Sequence, residues 1–354
     1  RQWDRAVSYA ATLRREEPLP GEHGQGDEPT EWDRRVAAVV AVVAGVREAI
    51  AAEPRRWSTQ AGPADRRALE YLLALALDAV TDEIEIDCRR LALATGMGRS
   101  TAARALGRLV LDGWATLLTP GEGQRAHRYR VTPQGADEAV STVTEETYGG
   151  GGTQMIPPPG QALRPPGAER ERHRADLRAR REIVAHDAFT HPHRDQPGLG
   201  RHVASTAAAL STVLYKVKDL ARSTGYTECT TRRHLKLLQE HHIARRASGP
   251  VTGRWRRTRV HLDTAARTMG ATGVRERRHR AYAVERTAYA WWLAELERMH
   301  TPGPRRRPVP GQGRLILLGV PGHAHRDVYP RDSQGRADYR AARRRLTMER
   351  AASS

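Results

Sequence analysis

The 354 residues carry 59 lysines and arginines against 41 aspartates and glutamates, a formal net charge of +18, and such a field draws polyanions in at long range. No apolar run approaches the roughly 20 residues of a membrane span, which excludes an integral membrane protein. With no visible signal peptide and only Cys88 and Cys229, which form no paired ligand motif, a reducing, cytoplasmic setting without structural metal or cofactor is expected.

In chain order, Trp3 to Ala10 make a short amphipathic piece, broken by Pro18, Pro20, Gly21, Gly24 and Gly26. Val36, Val39, Val40, Val43, Val46 and Ile50 recur at three- and four-residue steps, which predicts a helix over 31–52 with one buried face, ended by Pro54. Residues 1–64 thus read as an N-terminal helical segment. The opening at Arg1 rather than methionine leaves room for an upstream domain.

A first module follows over 65–133. Ala68–Val80 is a nearly all-apolar helix, Glu83–Ile86 an alternating strand, and Asp87 stands where a helix N-cap belongs, before Cys88–Thr95. Gly96 supplies a turn, Arg99–Asp112 a third helix stopped by Gly113, and Trp114–Leu118 and Arg128–Val131 two strands around a Pro/Gly loop. Gly149–Gly152, Pro157–Pro159 and Pro165–Pro166 mark a flexible linker over 134–198, within which the alternating charges of Glu169–Arg181 read as a solvated helix.

The second module, 199–263, has helices Val203–Val213, Val217–Thr224 and Cys229–His241, a strand Ile243–Arg246, a loop Ser248–Arg256 and a closing strand Arg257–Leu262. Residues 264–300 hold a C-terminal helix bearing Tyr282, Tyr289, Trp292 and Leu293, a candidate surface for self-association. Residues 301–354 read as a basic, mostly disordered tail, apart from the apolar run Leu315–Val320.

The two modules are copies of one pattern. Leu91, Thr95-Gly96, Thr101, Arg104, Leu106 and Leu109 recur 129 positions later as Leu220, Thr224-Gly225, Thr230, Arg233, Leu235 and Leu238, and the same offset carries Arg130-Val131 onto Arg259-Val260. Helix, strand, helix, turn, helix, strand, loop, strand is the order of a winged helix. The expected fold is therefore mainly α with short β-wings: two winged helix-turn-helix domains joined by a flexible linker.

In each third helix the apolar positions Leu106, Leu109 and Val110, or Leu235, Leu237 and Leu238, pack inward, with Ala102 and Thr231 at the tight crossing near the turn. The outward face then carries Arg99, Ser100, Thr101, Arg104 and Arg108 in the first copy and Thr230, Arg232, Arg233 and Lys236 in the second. Such a helix fits the major groove, where arginine bridges guanine O6 and N7 and hydroxyls anchor phosphates. Arg254, Arg256 and Arg257 crowd the second wing around Trp255, which is placed either to stack on nucleic acid or to cap its own wing. Residues 201–260 carry 13 basic against 3 acidic side chains, and 81–130 only 8 against 6, so the second module is expected to supply the main grip on phosphates. His191-Pro192-His193 and His241-His242 lack further ligands at metal spacing, and no P-loop, GxSxG or paired-carboxylate motif points to catalysis.

Leu91 to Leu106, followed by Asp112-Gly113-Trp114, resembles the helix-turn-helix of bacterial winged-helix regulators. The Ala- and Arg-rich composition and the tandem arrangement with a basic linker resemble replication proteins of actinomycete plasmids and integrative elements. That resemblance implies sequence-specific binding of double-stranded DNA in replication initiation, without an enzyme activity in this stretch. A transcriptional regulator of the same architecture, or the DNA-binding C-terminal part of a primase- or helicase-type enzyme, are the alternatives.

Overall fold

The computed structural model describes residues 29–122, 125–132, 165–191, 198–248, 253–300 and 329–352. The amphipathic piece near Trp3, the glycine run 149–152 and the apolar run 315–320 lie outside the described residues. The chain is mainly helical with small antiparallel sheets, and it divides into two compact units, Arg1–Thr272 and Gly273–Ser354.

The first unit opens with α1 (Glu31–Ala52), whose six buried residues are those the three- and four-residue spacing selects. Thr30 and Asp33 cap it reciprocally. Pro54 does more than end α1: it starts the short helix α2 (Pro54–Ser58), which brings Trp57 back to donate from Nε1 to the Ile50 carbonyl at 3.1 Å. Trp57 meets Trp114 edge to face, at 5.0 Å between ring centres, beside the apolar α3 (Gly62–Ala79).

Strand β1 (Glu83–Ile86) leads into α4 (Cys88–Thr95), which Asp87 caps by accepting from the backbone N–H groups of Arg89 and Arg90. After the turn at Gly96 comes α5 (Arg99–Leu111), then β2 (Ala115–Thr119) and β3 (His127–Val131), in an antiparallel sheet ordered β1-β3-β2. The next described helix, α6 (Pro166–Val184), corrects the expectation of a solvated helix. Arg170, His173, Leu177 and Val184 are buried as it packs against α1, α3 and the following helix α7 (Gly200–Ala209). Its charges are alternate in sequence, yet one face is covered because each inward charge finds a partner: Arg170 Nε donates to the Leu77 carbonyl at 2.8 Å, and Arg180 Nε to Glu70 at 3.0 Å.

The second copy is α7, α8 (Val217–Thr224), α9 (Glu228–Glu240), a two-stranded ribbon of β4 (Ala244–Arg246) and β5 (Trp255–Arg257), and α10 (Leu262–Met269). The repeated residues occupy repeated roles. Leu91 and Leu220 are fully buried, as are Ala102 and Thr231, and the Thr95 and Thr224 hydroxyls each donate to the carbonyl four residues back at 2.6 Å. Gly96 and Gly225 both adopt positive φ, 70° and 76°. The N–H groups of Trp114 and Ile243 reach back to the Leu109 and Leu238 carbonyls at 2.8 Å in each case.

The repeat does not extend to the last strand at a constant offset. Ala115 pairs with Val131, whereas its counterpart Ala244 pairs with Arg257. Tyr129 is therefore matched by Trp255 and Arg130 by Arg256, because the second ribbon connection is three residues shorter. Arg259-Val260 lie beyond the ribbon, with Val260 39 % exposed where Val131 is 1 % exposed. The closing strand thus ends at Arg257, and Leu262 belongs to a helix. In place of a full third strand, Tyr215 exchanges two 2.8 Å hydrogen bonds with Trp255.

The second unit consists of α11 (Val274–His300) and α12 (Tyr339–Ala352), so the expectation of a mostly disordered tail over 301–354 is corrected for its last described helix. Trp291 and Trp292 of α11 meet Tyr329, and Glu285 pairs with Arg343 at 2.8 Å.

Two charged groups inside the first unit lead to predictions. Glu70 stands between Arg66 and Arg180; burial alone would raise its carboxyl, but the two guanidinium groups outweigh it and hold it below the usual carboxylate range. Glu70→Leu leaves Arg180 unpaired against α3 and is expected to cost roughly 3 kcal/mol. Thermal melts should recover much of the loss in Glu70→Leu/Arg180→Leu; a single variant melting like the parent would contradict this role.

Beneath α9, His234 Nδ1 lies 2.8 Å from the buried Thr206 hydroxyl and its ring meets Tyr226 edge on. Burial, then the neighbouring His202 and Arg233, push its pKa down to about 4. The unfolded chain therefore takes up this proton near pH 6.5 and the folded one only near 4, so stability is full above 6.5 and falls as pH drops from 6.5 to 4. His234→Gln is expected to flatten, without abolishing, the dependence of melting temperature on pH in that window, since His202 and His173 shift in the same direction.

Candidate nucleic-acid interface

The outer face of α9 is set by its inner one. Thr231, His234, Leu235 and Leu238 are buried, so Arg232, Arg233 and Lys236 must face outward, and all three are exposed. Thr227 caps the helix by accepting from the Thr230 N–H at 3.2 Å, and its hydroxyl lies 2.9 Å from that of Thr230. Arg232 is paired with Glu228 one turn earlier at 2.6 Å. Arg233 and Lys236 have no carboxylate partner among the described residues.

At the carboxyl end of α9, Gln239 and His242 open into a groove of about 750 Å³ lined by Arg245, Arg256, Arg257 and Arg259. Arg245 and Arg256 are direct cross-strand partners. Like charges directly opposite on a ribbon are destabilising, and none of the four arginines has a carboxylate partner among the described residues. The equivalent ribbon of the first copy is neutralised: Glu83 takes both Arg130 and Arg128, and Asp82 lies 3.5 Å from Arg130. The hydrogen bond from Arg130, followed by the charge of Arg128, holds the Glu83 carboxyl below its ordinary range.

Of the residues singled out in the sequence, Thr230, Arg232, Arg233 and Lys236 share one face of α9, and Arg256 and Arg257 share the groove at its end. Arg254 is half-buried and lies outside that groove. On α5, Arg99, Ser100 and Arg104 are exposed and Thr101 is half-buried, with Arg104 Nε donating to the Ser100 carbonyl at 3.2 Å.

Two assignments are corrected. Arg108 is turned inward: its Nη2 and Nε grip the fully buried Asp65 at 2.6 and 3.1 Å, and that hydrogen bond raises its pKa. Arg56 completes the cluster from α2, bonding Asp65 and Asp112. Asp65, buried at the start of α3, needs these cations, so Arg108 is committed to holding α5 on α3. Trp255 is buried in the core of the second copy with Leu210, Leu220, Leu235 and Ile243, where Tyr129 stands in the first, and presents no face for stacking.

Sequence reasoning passed over Arg245, whose place opposite Arg256 appears only once the ribbon register is known. Lys218 and Arg222, exposed on α8, were missed as well; their polar helical face was readable but gave no partner to be near. Among the described residues no helix is long and apolar enough to cross a membrane, and no group of three or more His, Cys, Asp or Glu side chains is gathered to hold a metal ion. No protein-family model matches this chain, and no curated protein matches it in sequence.

Proposed function

We propose that this chain binds double-stranded DNA through two winged-helix modules, with α9 as the principal recognition helix and the β4–β5 ribbon as its phosphate-gripping wing. One observation carries the reading: the second copy keeps Arg233, Lys236, Arg245, Arg256 and Arg257 clear of any described carboxylate, while in the first copy Arg128 and Arg130 of the last strand are taken by Glu83 and Asp82, and Arg108 of α5 by Asp65. Holding like charges opposite one another costs stability, which a polyanionic partner offsets. The first module adds Arg104 with the hydroxyls of Ser100 and Thr101, a weaker and chemically different face.

Taken with the resemblance to replication proteins of actinomycete plasmids and integrative elements, this supports an initiator that reads an origin. Because the two faces differ and belong to one chain, the target is asymmetric or directly repeated rather than palindromic.

With about five phosphates engaged by the second module, log affinity for duplex DNA should fall against log salt with a slope near −4.5. Arg256→Ala is expected to weaken all sequences alike, whereas Arg233→Ala should relax base preference at one position, by about 1–3 kcal/mol. A slope shallower than about −2 in a fluorescence titration would sink the reading. Footprinting on the DNA flanking the gene separates the roles: protection over direct repeats is the outcome expected of an initiator, and an inverted repeat held by a stable dimer would point to a transcriptional regulator.

A further inference from the structure

The amino end of α9 faces a second cationic cleft, built partly from outside the repeated module. A cleft of about 340 Å³ is lined by Arg55 of α2, Lys218 and Arg222 of α8, and Tyr226 and Glu228 at the start of α9, around Pro54 and Gly225. Arg55, Lys218 and Arg222 are exposed and have no carboxylate partner among the described residues. Glu228, the acid of the cleft, is occupied by Arg232, and Asp219 lies in the neighbouring cleft without pairing to Arg222.

Gly225 is what brings Arg55 there. A Cβ on Gly225 would stand 2.0 Å from the Pro54 carbonyl oxygen, so only glycine lets the start of α2 close onto the turn between α8 and α9. The same position needs positive φ, and the residue serves both demands.

Resting on the DNA-binding reading above, we infer that α9 is bracketed by two phosphate grips, so that a duplex lies across it with one strand's backbone in the Arg245/Arg256 groove and the other's against Arg55, Lys218 and Arg222. Thirteen residues of α-helix span about 20 Å, enough to cross a major groove roughly 12 Å wide and reach the phosphates on both rims. A single strand has only one backbone and cannot fill both grips. Arg55, contributed from outside the second module, belongs to that module's footprint, and the contact of α2 with Gly225 joins the segment ahead of the first copy to the second copy's binding surface.

The test uses the full chain with a fluorophore-labelled, mixed-sequence duplex and the corresponding single strand, titrated across salt concentrations. Arg55→Gln and Lys218→Gln are each expected to weaken duplex binding about three- to tenfold and to make the salt slope shallower by about 0.9, one phosphate each. Arg178→Gln, on an exposed pair with Glu182, should leave both quantities unchanged, and unaltered thermal melts would show that the variants remain folded. Steep duplex binding that Arg256→Gln weakens but Arg55→Gln and Lys218→Gln leave untouched would overturn the bracket while sparing the DNA-binding reading. Single-strand binding as tight as duplex binding would overturn it too. Failure of the parent chain to bind duplex at all would remove both.

Discussion

Glu70 accepts from Arg66 and Arg180 where α3 faces α6, and its side chain is only 11 % exposed. A lone carboxylate there would not stay charged, and a lone guanidinium on α6 would not stay buried. Because each supplies the other's counter-charge, an arginine-rich helix lies against the apolar α3 and, through Arg180 and the Ala208 carbonyl, against α7 of the second copy. Much of the first unit follows from this contact. Arg67 is buried beside the end of α4, donating to the Thr95 carbonyl at 3.4 Å, and burial together with Arg201 of α7 pushes its pKa down to about 10. The turn glycines are pressed onto neighbouring backbone, Gly96 onto Ala185 and Gly225 onto Pro54. Two modules that a glycine-rich stretch separates in sequence are thereby held in one compact unit.

Within that unit the two copies share interior features and differ in their surface charges. The buried leucines, the threonine back-bonds and the positive-φ turn are common to both. The charges are not. Asp65, Asp82, Glu83 and Asp112 supply the first copy with acids placed to meet Arg56, Arg108, Arg128 and Arg130. The second copy has no acid at the corresponding ribbon positions, and its ribbon arginines have no carboxylate partner among the described residues, Arg245 and Arg246 exposed and Arg256 and Arg257 half-buried. A core position is constrained by volume and hydrogen bonding, so a change there is costly. An exposed charge is constrained only by what it meets, and can be reassigned from a structural ion pair to a ligand contact with little effect on folding.

The sequence by itself determined everything that depends on local periodicity and backbone chemistry. The spacing of Val36 to Ile50 selects the buried face of α1, Asp87 its role as a cap, and Gly96 and Gly225 the turns, since each of these is decided within a few residues along the chain. Helices α4, α5, α8 and α9 and the outward face of α9 followed in the same way, whereas α7 stops at Ala209, short of the expected Val213, and α10 starts at Leu262, which was expected to close the ribbon. Tertiary structure decided what lies against what. Arg108 reads as a solvent-facing cation until Asp65, 43 positions away, is seen beneath it; Trp255 reads equally as a stacking face or a cap on its own wing until the ribbon register places it in the core; the charged helix α6 reads as solvated until Glu70 receives Arg180. In each case the side chain's chemistry was legible but its partner was distant in sequence, and for a charged or amphipathic group it is the partner that determines whether burial is favourable.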